Sequence, residues 1–116
     1  MFIDELRDYC LSLPYVEESL PFGPDTLVFK TGGKIFALAD LEGVSVNLKC
    51  HPEKAVELRE AHPEVTPGWH MNKKHWNTVV LQSRLPDALL RVWIRDSYTL
   101  VFGSLPARVK RALLNV

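Results

Sequence analysis

Apolar positions fall into runs of distinct period along the chain, and each run predicts an element. Phe2, Ile3, Leu6, Tyr9, Cys10 and Leu13 recur at spacings of three and four, which predicts an amphipathic helix ending before Pro14. Asp4, Glu5 and Asp8 lie on or beside its wet face, where acids near a helix N-terminus are favoured. Tyr15 to Pro24 reads as a short extended segment closed by a turn, because Pro21, Gly23 and Pro24 forbid a helix. Leu27, Val28 and Phe29 lead into Gly32-Gly33, and Ile35, Phe36, Ala37 and Leu38 lead out, the pattern of a β-hairpin.

A turn over Asp40 to Gly43 comes next. Val44, Val46 and Leu48 then alternate with Ser45, Asn47 and Lys49, a half-buried strand whose Asn47 and Lys49 face the open side of the sheet. Pro52 is placed as a first helical residue, and the helix it starts is expected to reach about His62 and stop at Pro63. Pro67-Gly68 marks a turn, and Thr78 to Leu81 a returning strand. A long, largely buried helix runs from about Asp87, Gly103 breaks it, and Pro106 starts a short basic helix through Leu114. The expected order is helix, three strands, helix, one or two strands, helix. Strands joined by tight turns form an antiparallel sheet, so the fold class is α+β, two layers, with helices on one face.

Composition narrows the classes. At 116 residues the chain is expected to be one domain, residues 1–116, with enough length to bury a core. No apolar run approaches the roughly 18 residues of a membrane span. The opening MFIDELRDYC is acidic and periodic, unlike a signal or transit peptide, and a cytoplasmic location is expected. Cys10 and Cys50 are too few and too far apart for a disulfide framework or a zinc site. The net charge is zero, which argues against strong non-specific binding to a polyanion. Its distribution is uneven: residues 1–25 set Arg7 against Asp4, Glu5, Asp8, Glu17, Glu18 and Asp25, whereas residues 91–116 set five cations against Asp96.

Catalytic patterns find little support. There is no GxSxG elbow, no HExxH, and the Gly-Gly-Lys at 32–34 lacks the spacing and the following helix of a phosphate loop. Cys10 lies on the apolar stripe of the first helix. Cys50 precedes His51 at a strand-to-helix junction, where His51 is placed to cap the helix. His62, His70 and His75 are too widely spaced for a metal site without a third firm ligand, so no metal and no cofactor is expected.

The chemically dense stretch is His62 to Leu81, HPEVTPGWHMNKKHWNTVVL. Lys73, Lys74, His70 and His75 alternate with Trp69, Trp76, Asn72 and Asn77. Lysines meet phosphates, rings stack on bases, and asparagine amides read base edges. A strictly alternating hairpin would instead turn Trp69, Met71 and Trp76 into the core and leave only the lysines and histidines for a partner.

Leu13-Pro14 with Glu17-Glu18, Pro21-Phe22-Gly23, Phe29-Lys30, Gly33-Lys34-Ile35-Phe36-Ala37 and Leu48-Lys49-Cys50 before Pro52-Glu53 form a recognisable series. It continues with Leu58-Arg59, with the run from Pro67 to Val79, and with Asp96-Ser97-Tyr98 before Leu100-Val101. Across nearly its whole length the sequence resembles the MmcQ/YjbR family of small bacterial proteins. That resemblance implies a fold like bacterial frataxin (CyaY), an antiparallel sheet backed by helices, and a DNA-binding role through wing-like β elements. It brings no agreed catalytic residues. Frataxin-like iron handling would need an acidic ridge, to which only Asp4, Glu5 and Asp8 point.

The resulting expectation is a non-enzymatic, monomeric DNA- or nucleic-acid-binding protein. Its contact residues would be Lys49, Trp69, His70, Asn72, Lys73, Lys74 and His75, with Arg108, Lys110 and Arg111 adding charge. The alternative is a small-ligand or protein-interaction module with a pocket lined by Trp69, Trp76 and His75.

Overall fold

The computed structural model describes residues 1–69 and 71–115. Helix α1 (Ile3–Ser12) precedes strands β1 (Val16–Ser19), β2 (Thr26–Thr31), β3 (Lys34–Asp40) and β4 (Ser45–Lys49). Helix α2 (Pro52–Ala61), strands β5 (Val65–Pro67) and β6 (Trp76–Val80), and helices α3 (Asp87–Gly103) and α4 (Ala107–Leu114) complete the chain. The strands form one sheet in the order β1-β2-β3-β4-β6-β5, every neighbour antiparallel. The fold is α+β, as the alternating and helical periods predict.

The hairpin between β2 and β3 turns on Gly32 and Gly33, whose φ of 57° and 83° only glycine adopts at low cost. In the same hairpin Phe29 pairs with Ala37 but Lys30 with Ile35, which leaves Phe36 as an extra residue in a bulge. The bulge turns both Phe36 and Ala37 into the core, where each is fully buried. Strict alternation would have sent one of them to the other face.

One core lies between the sheet and the helices. Leu6 and Cys10 of α1 and Leu90, Trp93, Ile94 and Val101 of α3 pack against Phe29, Phe36, Val46, Leu48 and Val79. Ser97 clasps these layers: its hydroxyl donates to the Phe36 carbonyl at 2.6 Å and accepts from the Lys49 N–H at 2.8 Å. Next to it the Tyr98 hydroxyl donates to the Pro14 carbonyl at 2.5 Å, pinning the exit of α1.

Three expectations are corrected. The segment after Tyr15 contains a real edge strand, β1, paired along Val16 to Ser19 with Thr31 to Val28, so four strands precede α2 rather than three. Val44 is not a strand residue; it turns the chain at φ 49°, a left-handed conformation that costs a β-branched side chain, and β4 begins at Ser45. Asn47 is not an open-face polar residue but is 4% exposed. What covers it is the loop between β5 and β6.

Candidate nucleic-acid interface

Strands β5 and β6 form a short antiparallel wing, and the start of the connection between them is tied to the face of the sheet that carries Asn47 and Thr78. Gly68 makes the wing possible. Its N–H donates to the Trp76 carbonyl at 2.8 Å, and a Cβ at Gly68 would stand 2.7 Å from the Trp76 Cβ. The loop is closed internally by Asn72, whose carbonyl accepts from the N–H groups of His75 and Trp76 and whose Oδ1 accepts from the Lys74 N–H at 2.9 Å.

The wing is also tied to the sheet. The Trp69 N–H donates to Thr78 Oγ1 at 2.8 Å, and that hydroxyl donates to Asn47 Oδ1 at 2.5 Å. At the base, the Cys50 N–H donates to the His75 carbonyl, and Arg59 of α2 donates from Nη1 to the Lys73 carbonyl at 3.0 Å. The loop is irregular in form but held from three sides, as a presented binding surface requires.

Alternation along β6 separates its side chains. Trp76, opposite Lys49, is 9% exposed and closes the wing rather than meeting a partner. Asn77 points to α2, where its Nδ2 donates to the Ala55 carbonyl at 3.3 Å, and at 2% exposed it cannot read a base edge. Trp69 goes the other way: it is 67% exposed. Asn72, Lys73 and Lys74 are exposed beside it, while His75 and Lys49 are half-buried. The Lys73 ammonium donates to the Gly68 carbonyl at 3.2 Å, so it both carries charge and closes the loop. His70 lies outside the described residues. Thus the aromatic stretch is neither all core nor all surface: one indole seals the wing and the other is offered by it.

Of the three residues of the alternative pocket, Trp76 is 9% exposed, His75 is half-buried and Trp69 is 67% exposed. Clefts open elsewhere, one between α2 and α3 and one on the far side of the sheet beside Phe22, Leu38 and Met71. His62 packs its ring edge-on to Trp93 at 5.2 Å, away from His75's contacts at the wing base. His51 is the N-cap residue of α2, yet its side chain makes no capping bond. Among the described residues no cluster of His, Cys, Asp and Glu is arranged to hold a metal ion, and no helix is long and apolar enough to cross a membrane.

The YjbR family pattern matches residues 11–100. The chain belongs to the YjbR family. It is 48% identical over 100 residues to the YbdF protein of Escherichia coli O157:H7, covering 84% of this chain and 82% of that one. Over 118 residues it is 34% identical to the YjbR protein of Escherichia coli K12, covering the whole of both. Among solved structures it is similar to a Deinococcus radiodurans protein with a DUF419 domain, at a TM-score of 0.90 and 40% identity, covering 97% of this chain and 87% of the other. A Pseudomonas syringae protein is similar at a TM-score of 0.77 and 29% identity, covering 87% and 99%. The matched region takes in the wing and the Asp96-Ser97-Tyr98 run of α3.

Proposed function

We propose that the protein is a non-enzymatic, monomeric binding module for single-stranded nucleic acid, with the 68–75 wing tip as its contact surface. The observation that carries this reading is Trp69, an indole 67% exposed on a loop whose backbone is fixed by hydrogen bonds to the sheet. Exposing an indole while tying down its backbone makes sense for a stacking platform, because the ring then loses little freedom on contact. Lys73 and Lys74 meet the backbone phosphates beside the stacked base. Arg59 and Lys49 extend the positive field toward α2 and β4. The exposed amide of Asn72 adds a donor at the same edge. Net charge zero is no obstacle, since phosphate contact depends on local cations.

Three or four phosphate contacts give a salt slope near −0.7 per contact for a single strand. Affinity for a short oligonucleotide therefore falls roughly 20- to 50-fold between about 50 and 200 mM salt. Fluorescence polarisation of a labelled oligothymidylate checks this, with Lys74→Ala as the cleanest charge variant because Lys73 also closes the loop. Lys74→Ala is expected to weaken binding and flatten the slope. Binding that ignores salt, or an unaltered slope in the variant, would overturn the assignment of the wing tip.

A further inference from the structure

The sheet face turned away from α1 and α3 carries a groove of about 280 Å³. Thr26 of β2 and Ile35 and Leu38 of β3 form its floor, and two loop residues form its walls: Phe22, before β2, and Met71, between β5 and β6. Ile35 and Leu38 both reach this face because the bulge sends Phe36 and Ala37 together into the core. Phe22 is 65% exposed, and Ile35, Leu38 and Met71 are half-buried, so apolar surface is left in water here. Apolar surface gathered in a concavity marks a binding site.

The groove is continuous with Trp69. Asn47 donates from Nδ2 to the Trp69 carbonyl at 3.5 Å, and Leu38 is the register partner of Asn47 on the neighbouring strand. Thr78, which holds the Trp69 N–H, lies two strand spacings from Leu38, about 10 Å. Trp69 and Met71 therefore lie along one path across the sheet.

The lining limits the occupant. No charged side chain lines the groove, and its polar group is the Thr26 hydroxyl, which makes no hydrogen bond among the described residues. The volume is at the small end for a ligand pocket, which suits a single ring system. The Phe22 ring and the Met71 thioether both favour a flat ring between them, and a hydroxyl can donate to or accept from its edge. The two ends differ in charge. Beside Thr26 is its register partner Asp40, whose carboxylate already accepts from the Glu42 N–H at 3.0 Å. Beside Ile35 is its partner Lys30, which forms no ion pair among the described residues, not even with Glu17 opposite it on β1. A neutral slot for a ring with a cation at one end matches a nucleotide.

We infer that the groove takes a further base of the strand whose first base stacks on Trp69, held between Phe22 and Met71 with its phosphate at Lys30. The inference rests on the reading of Trp69 as a platform and adds the path the strand follows, across β4 and β3.

Each site has its own probe. Met71 is one of two methionines, and the other, Met1, packs against the core. The Met71 ε-methyl, labelled with carbon-13, therefore reports on the groove, and the Trp69 indole N–H reports on the wing. Titration with an oligothymidylate at low salt should move both, the methyl upfield as a ring covers it. Phe22→Ala, at an exposed position, should cancel the Met71 shift and weaken binding by roughly 5- to 150-fold while the Trp69 indole still responds. Lys30→Ala should flatten the salt slope by about 0.7, one phosphate contact on a single strand. A Met71 methyl unmoved at saturation while Trp69 responds, or full affinity in Phe22→Ala, would overturn the groove and leave the wing-tip reading standing. Movement of Met71 without Trp69 would sink the wing-tip reading alone, and movement of neither would sink both. A Met71 shift that grows with protein concentration in the absence of oligonucleotide would assign the groove to a second copy and overturn the inference.

Discussion

Gly68→Ala is the sharpest structural perturbation of the wing. The added methyl would meet the Trp76 Cβ at 2.7 Å, the Trp76 carbonyl oxygen at 2.9 Å and its carbonyl carbon at 3.1 Å. Two of these are backbone atoms and the third is the root of a side chain, so none can swing aside. Restoring ordinary contact requires β5 and β6 to part by roughly 0.5–1 Å. That movement stretches the 2.8 Å bond from the Gly68 N–H to the Trp76 carbonyl and carries Trp69 away from Thr78. Overpacking of this kind costs about 1–3 kcal/mol. Replacing glycine returns about 0.4–1 kcal/mol by narrowing the unfolded ensemble. The net loss is about 1–2 kcal/mol, a fall in Tm of roughly 4–8 °C for a domain of this size. Thermal unfolding followed by circular dichroism measures it, and oligonucleotide affinity should fall with it because Trp69 is displaced. An unchanged Tm with unchanged affinity would refute the account of how Gly68 positions the wing.

Other expectations follow from single contacts. Ser97→Ala removes the group that bonds both the Phe36 carbonyl and the Lys49 N–H, and is expected to cost about 2–4 kcal/mol in urea unfolding. Gly103→Ala, where a Cβ meets nothing within 4 Å, should stabilise the end of α3 by about 0.5–1 kcal/mol in the same assay. The Cys10 thiol is raised from 9.0 to about 12 by burial, so the folded chain keeps a proton that the unfolded chain gives up. The stability it contributes is whole below pH 9 and is lost as pH rises from there toward about 12, roughly 4 kcal/mol in all. Tyr98, also raised by burial, acts in the same direction. Urea midpoints at rising alkaline pH check this, and Cys10→Ala should flatten the decline.

The elements that sequence reveals here are those specified by local rules. Pro52 at the start of α2, the Gly32-Gly33 turn and the break at Gly103 before Pro106 each act through their own backbone preference, and each stands where its pattern places it. Features set by tertiary contact were hidden. The bulge at Phe36 depends on its ring reaching Tyr98, 5.3 Å away on α3, which no strand period encodes. Val44 looks like a strand residue because Val46 and Leu48 are, yet the chain must turn there for its carbonyl to accept from Leu81. Asn47 reads as surface by alternation, and only the wing folding over that face buries it. The same holds for the candidate site. Composition marked residues 62–81 as unusual, but which tryptophan faces out depends on where β6 begins, at Trp76. The groove beside Leu38 joins the turn before β2, β3 and the loop before β6, and no linear spacing announces it.

The central claim is that Trp69 is a stacking platform, and its own fluorescence tests it most directly. Trp76 and Trp93 are 9% and 6% exposed, so a quenching ligand in solution reports chiefly on Trp69. Titration with an oligothymidylate at low salt should quench this emission, and Trp69→Ala should abolish the quenching while weakening binding by about 5- to 150-fold. Saturating oligonucleotide with no change in emission, or full affinity in Trp69→Ala, would contradict the account.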